Sequence, residues 1–272
     1  MQKPVSFYFS DYIFMDAGHK YKNLAHPKVK FKSSTGVKSD MISGFRSRYW
    51  IAWTVVKQLY VNRKCDYGNQ AEFDHFRING NQIHHERIWE SFPDECAQVK
   101  QEWKAKSDEG QARGSCVHDF LENIVGRKVY PTPRKYGVSI RNAMDYWKEE
   151  KNKEDIVFRE CEVVMGDLDS KIAGMADRLD YPDTPWTVDL IDYKTDDDLD
   201  DGTIYNMMPP PFEHLGETKL NQYSIQVNIY ADLIEKCTPY TVRKIELVSV
   251  GEKAWKRYIM NRMSVINLVG VD

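Results

Sequence analysis

Residues 172–195 read IAGMADRLDYPDTPWTVDLIDYKT. Two apolar runs flank the proline-bearing turn YPDTPW (181–186). The first carries Asp177, and the second closes on Asp192-x-Lys194. Side chains alternate between the faces of a strand, so Val188, Leu190, Asp192 and Lys194 share one face of the second run. Asp189, Ile191 and Tyr193 take the other. Acids inside apolar strands are costly to bury unless they are paired or bound to a cation. Two carboxylates and an ammonium on neighbouring strands are what a Mg²⁺-dependent phosphodiesterase needs. The acids hold the metal, and the lysine steers or deprotonates the attacking water. Taken alone, Asp192 and Lys194 read equally well as a structural ion pair.

Two flanking segments add to this pair. In GSCVHDFLE (114–122), His118 and Glu122 are four residues apart and so lie on one face of a helix. Neutral imidazole suits Mn²⁺ or Mg²⁺ in an otherwise oxygen-lined site, although a single helical histidine is more often a core or surface residue. Asp119 lies about 100° around the helix and is left out of the cluster. In NQYSIQVNIY (221–230), Tyr223, Gln226 and Tyr230 recur at steps of three and four. That stripe is either a packed aromatic face or a set of groups that hydrogen-bond a phosphate and orient Lys194.

The rest of the chain reads as α/β. Short strands broken by turns are expected over residues 1–35. A helix is expected from Ser39 to about Val61, with Met41, Phe45, Tyr49, Ala52, Val56 and Leu59 on its apolar stripe. Residues 62–98 give a loosely structured connection. A long helix follows over about 99–125, where Gly114 either splits it or admits a close approach. A short helix covers 138–151, and strands cover 156–165, 171–181 and 187–195, with GDLDS (166–170) as a hairpin turn. A helix at 219–237, a strand at 242–250 and a closing helix over 252–268 complete the order. From residue 99 onward this is helix, three strands, helix, strand around a mixed central sheet.

Composition narrows the function class. The chain has 272 residues, 42% hydrophobic and 29% charged, which suits a globular core. No apolar run approaches the length of a membrane span, and the first residues resemble neither a secretory signal nor a mitochondrial presequence. A cytoplasmic location is the expectation. The five cysteines (Cys65, Cys96, Cys116, Cys161, Cys237) contain no C-x-x-C pair, which argues for free thiols and against zinc ribbons or iron–sulfur clusters. Residues 1–65 carry 12 Lys and Arg against 3 Asp and Glu, while the remainder carries 26 against 38. A basic segment joined to an acidic remainder fits a protein that holds polyanions at one end, or simply has a solvated basic surface.

The four motifs together resemble the PD-(D/E)XK nucleases of the RecB-like branch. They are most similar to bacteriophage-type exonucleases related to the mitochondrial genome maintenance exonuclease. The matching elements are G-x-x-x-H-x-x-x-E (Gly114, His118, Glu122), G-x-x-D (Gly174, Asp177), D-x-K (Asp192, Lys194) and Y-x-x-Q-x-x-x-Y (Tyr223, Gln226, Tyr230). They cover roughly residues 110–250, and HKY near residue 20 with a Ser-capped helix containing Trp50 adds a looser match. The resemblance implies a restriction-endonuclease-like αβββαβ core at 99–272, its mixed central sheet flanked by helices. Residues 1–98 then form a basic strand and helix extension that binds or gates DNA. It also implies metal ligation by Asp177, Asp192 and His118, for one or two Mg²⁺ or Mn²⁺ ions. Lys194 positions the nucleophile, and Glu122, Gln226 and Tyr230 line the site.

The expectation is a viral, phage-type exonuclease in the host cytoplasm, acting on single strands or free ends of DNA in replication, recombination or repair. A structure-selective or restriction-type endonuclease, and a non-catalytic nucleic-acid-binding protein on the same fold, are the alternatives. Tyr49, Trp50 and Trp53 are candidate stacking platforms, with core packing the competing role. Asp196–Asp201 does not match a calcium loop, since position twelve is Met207, and is expected as a solvated loop beside the site. His84-His85-Glu86 lacks a zinc spacing. No phosphate-loop motif is present, so translocation would need a replication or recombination partner.

Overall fold

A computed structural model of the chain describes residues 2–15, 20–42, 47–62 (backbone only at 60–62), 83–126, 135–197, 199–202, 204 and 206–269. Its elements in order are α1 (Val5–Tyr8), β1 (Tyr12–Met15), β2 (Lys20–Asn23), β3 (Lys32–Ser33), α2 (Ser34–Asp40), α3 (Ser47–Asn62), α4 (His85–Ser91), α5 (Pro93–Val125) and α6 (Gly137–Glu150). After these come β4 (Ile156–Asp167), β5 (Ile172–Pro182), β6 (Thr187–Lys194), α7 (Lys219–Cys237), β7 (Thr241–Val250) and β8 (Trp255–Met260). Two compact units result. Residues 1–43 with 113–272 form one, and residues 44–112 form the other. The segment 1–98, expected as one extension, is divided between them.

In the larger unit the strands run β3-β5-β6-β7-β8, with β4 also paired to β5. The β3/β5 and β6/β7 pairs are parallel and the others antiparallel, which makes the sheet mixed. The alternation read from TVDLIDYK is realised. Val188 and Leu190 join the core that α7 covers with Ile225, Ile229 and Leu233. Ile191 and Tyr193 join the opposite core, with Val117 and Leu121 of α5 and Ile140 and Ala143 of α6. Thr218 caps α7 by accepting the Asn221 N–H. The GDLDS turn is closed by the Ser170 N–H, which donates to Asp167 Oδ2 at 2.8 Å.

In the smaller unit, Ile51, Ala52, Val55 and Val56 of α3 pack with Ile83, Ile88, Cys96 and Val99. Tyr49 and Trp53 rest on that core, whereas Trp50 is exposed.

Several expectations are corrected. The helix expected from Ser39 to Val61 is instead α2, ending at Asp40, and α3, starting at Ser47, with 43–46 outside the described residues. The connection at 62–98 contains α4 and the start of α5, while 63–82 lie outside the described residues. Pro93 at the first helical position and Asp94 and Glu95 in the first turn are the start signals that set the α5 boundary. Gly114 does not split α5. Among residues 1–35, Val5–Tyr8 is a helical turn. The closing helix is instead strand β8, antiparallel to β7, because a pattern of large apolar and long basic side chains serves a sheet edge as well as a helix. Among the described residues no helix is long and apolar enough to cross a membrane.

Candidate active site

The site forms where the sheet comes apart. The β5/β6 ladder pairs Asp180 with Asp189, Leu179 with Leu190 and Arg178 with Ile191, and then stops. Asp177 and Asp192 are the first residues past the last pair. β6 continues along β7 as far as Lys194 against Ser249. Where the ladder ends, the Tyr193 N–H would be orphaned. It donates to Asp177 Oδ2 at 2.6 Å, which fixes that carboxylate.

Around Asp177 and Asp192 the expected groups converge. His118 Nδ1 lies 3.4 Å from Asp177 Oδ1, and its ring meets Tyr193 edge-on at 5.9 Å. Lys194 Nζ is ion-paired with Asp192, which is 2% exposed, and also donates to the Tyr193 carbonyl at 3.0 Å. From α7, Gln226 Nε2 donates to the Tyr230 hydroxyl at 2.8 Å, and the Tyr223 hydroxyl donates to Asp196 Oδ2 at 3.0 Å. Lys194 lies over the Tyr223 ring, 4.8 Å from its centroid. Glu122 stands one turn beyond His118 on α5, close enough for its charge to act on Glu162 and Cys161.

The electrostatics separate the two aspartates. Burial works against ionising Asp177, but His118, Lys194 and the Tyr193 N–H outweigh it and hold the carboxyl below the usual aspartate range. Asp192 is pushed above that range by burial and by the Asp177 charge, against the pull of Lys194. Burial opposes charge on Lys194 and His118, yet the neighbouring aspartates raise both.

Two carboxylates and an imidazole are a donor set for Mg²⁺ or Mn²⁺. A divalent cation would offset the burial and the Asp177 charge that together raise Asp192. The residues fit such an ion on that chemistry. Among the described residues no three His, Cys, Asp or Glu side chains form a ready cage, and the oxygens of Asp177 and Asp192 are paired with His118, Tyr193 and Lys194 instead.

Four further side chains reach the site outside the four main motifs. Tyr21 of β2 has its hydroxyl pushed up to about 12 by burial and by Asp177. Ser34 donates to the Tyr230 hydroxyl at 3.1 Å, and Lys38 donates to Gln226 Oε1 at 3.2 Å. The β4/β5 register sets Cys161 against Arg178 and Val163 against Ala176, which places Glu162 opposite Asp177. Its φ of 52° is left-handed, and burial, then Glu122, Asp177 and Asp119, push its carboxyl up. The charged alternation in RECEVV marks this strand, and Tyr21 falls in the loosely matching HKY, but nothing in the sequence near residues 34–38 announces Ser34 or Lys38.

Gly114 faces Thr195 Oγ1 at 3.6 Å from a Cβ position, so the glycine places α5 against the residue after Lys194. Asp196, Asp197 and Asp200 of the acidic stretch are more anchored than expected. Asp196 pairs with Lys219 at 2.5 Å, Asp197 accepts the Lys253 N–H at 2.9 Å, and Asp200 pairs with Lys256 at 3.2 Å. Cys96, Cys116, Cys161 and Cys237 are free thiols, while Cys65 lies outside the described residues. No protein-family model matches the chain, and no curated protein matches it.

Proposed function

We propose that the chain is a divalent-metal-dependent deoxyribonuclease of the PD-(D/E)XK superfamily, RecB-like branch, and that its sheet and helices are a restriction-endonuclease-like core. The reading is carried by one observation: the β5/β6 ladder ends at the level of Asp177 and Asp192, with Lys194 and His118 against them. Hydrolysis adds water across a P–O bond, so the water loses a proton and the leaving sugar oxygen gains one. A Mg²⁺ or Mn²⁺ ion held by Asp177, Asp192 and His118 would neutralise charge on the phosphate and acidify water. Lys194 orients the nucleophile and offsets charge developing on the phosphate. Gln226 and Tyr230 brace the α7 wall of the site, with Glu122 on the α5 side.

None of these groups reads a base, which suits an enzyme indifferent to sequence. We assign it exonuclease activity on single strands or free ends of DNA, in replication, recombination or repair. The test is digestion of end-labelled single- and double-stranded oligonucleotides with Mg²⁺ or Mn²⁺, comparing the parent with Lys194→Ala and Asp192→Ala. Both variants should lose about 100-fold or more in rate. Parental rates in both would sink the assignment. A covalently closed circle should survive, and its cleavage would favour the endonuclease reading.

A further inference from the structure

Lys38 differs from the other lysines of the N-terminal segment. Lys20, Lys22, Lys28 and Lys30 are exposed, but Lys38 turns inward from α2 and is half-buried against α7. Its ammonium donates to the neutral amide oxygen of Gln226 at 3.2 Å and lies over the Tyr223 ring, 4.6 Å from the centroid. Lys194 lies over the same ring at 4.8 Å. Among the described residues Lys38 makes no ion pair, whereas Lys194 is paired with Asp192 and Lys219 with Asp196. Burial and then the Lys194 charge lower its pKa, and the charges of Asp192 and Asp196 pull the other way without reversing this. An ammonium held beside a second ammonium, with only an amide to accept its proton, is arranged to receive an anion.

Resting on the nuclease reading, we propose that Lys38 is a substrate-binding residue of the site and takes a nonbridging oxygen of a phosphodiester in the bound strand. The amide of Gln226 fixes Lys38 from one side and donates to Tyr230 from its other end, so the ammonium is aimed before substrate arrives. Residues 20–42 are then part of the catalytic unit itself. Tyr21, Ser34 and Lys38 supply one wall of the site, and Lys20, Lys22, Lys28 and Lys30 continue the positive charge across the exposed surface of the same unit. Lys194 remains with the water, and Lys38 serves the strand.

Four proteins test this: the parent, Lys38→Gln, Lys38→Arg, and Lys148→Gln as an exposed control on α6. Binding of a short fluorescein-labelled single strand is followed by anisotropy in EDTA between about 50 and 200 mM salt. Single-turnover cleavage of the same strand is then measured in Mg²⁺. Lys38→Gln should flatten the slope of log K against log salt by about 0.7, the loss of one phosphate contact to a single strand. It should also cut at roughly one hundredth of the parental rate, while Lys38→Arg keeps the slope and much of the rate. Lys148→Gln should bind and cut as the parent does. Parental cleavage by Lys38→Gln overturns the proposal, and so does slow cleavage with an unchanged salt slope, which would mean that Lys38 only props Gln226. A parent that binds but never cuts would overturn the nuclease reading, with the slope difference still deciding for or against Lys38. A parent that neither binds nor cuts overturns both.

Discussion

Gly174 lies so close to Tyr230 that a Cβ added to the glycine would overlap the ring at Cε1 and sit 2.9 Å from Ser34 Oγ. The glycine three residues before Asp177 is therefore a seat for the tyrosine that Gln226 and Ser34 hold by its hydroxyl. Gly174→Ala should cost about 1–3 kcal/mol of stability by overpacking and slow cleavage by displacing the ring. Gly114→Ala is the contrast, because its new Cβ would meet Thr195 Oγ1 at an ordinary 3.6 Å. Removing a glycine from mid-helix there should stabilise by up to about 1 kcal/mol. Urea unfolding of both variants decides, and equal stability of Gly174→Ala and parent would show that Tyr230 is not clamped.

Metal binding is expected to stabilise the fold. An ion bound at about 100 times its dissociation constant adds about 2.7 kcal/mol to the native state. Mn²⁺ should therefore raise the Tm of the parent and leave Asp192→Asn unmoved, as read by differential scanning fluorimetry. An equal rise in both proteins would place the ion elsewhere.

Glu162 provides a pH signature. Its carboxyl titrates above the ordinary glutamate value through burial and then the charges of Glu122, Asp177 and Asp119. A raised acid pKa means that the ionised form weakens the fold above that pKa and has no such cost once protonated. Without metal, Glu162→Gln should thus be more stable than the parent at neutral pH. Screening by solvent keeps the gain below about 1 kcal/mol. The difference should vanish as pH falls below the ordinary glutamate range. A constant difference across that range would assign it to the backbone instead.

Glu150 gives the opposite sign. It is fully buried on α6, with Arg178 Nη2 at 2.7 Å, Lys153 at 2.8 Å and Arg257 also paired to it. Burial opposes its charge, but Arg178 and Lys153 prevail and hold the carboxyl below its usual value. Its stabilisation is present above the unfolded pKa and is lost as pH falls through the folded one. Glu150→Gln leaves the buried Arg178 with Asp180 as its remaining carboxylate partner, at 2.8 Å, and should cost about 1–3 kcal/mol at neutral pH. That cost should shrink in acid, where the parent also loses the carboxylate. Denaturant melts at two pH values measure it.

The strands carrying Asp177, Asp192 and Lys194 were readable because a period of two in an apolar run states both the element and the face. His118 and Glu122 were readable from a spacing of four. Ser34 and Lys38 were not, and Tyr21 only through the loose HKY match, because their place depends on β3 pairing with β5 across about 140 residues of sequence, and local pattern carries no such information. Glu162 was hidden for a related reason: its partner Asp177 is set by strand register. WKRYIM at 255–260 satisfies a helical and a strand pattern alike, and pairing with β7 decided it.

The point where β5 and β6 part company also sorts single-codon insertions and deletions along this hairpin. Between 183 and 186 the chain is a surface turn, and a gained or lost residue is absorbed there. Between Asp189 and Asp192 the same event rotates everything downstream by one step. The acid and the lysine would then point toward the α6 side, with Tyr193 in their place. Libraries that vary the length of this region should recover active clones from the turn and none from the strand.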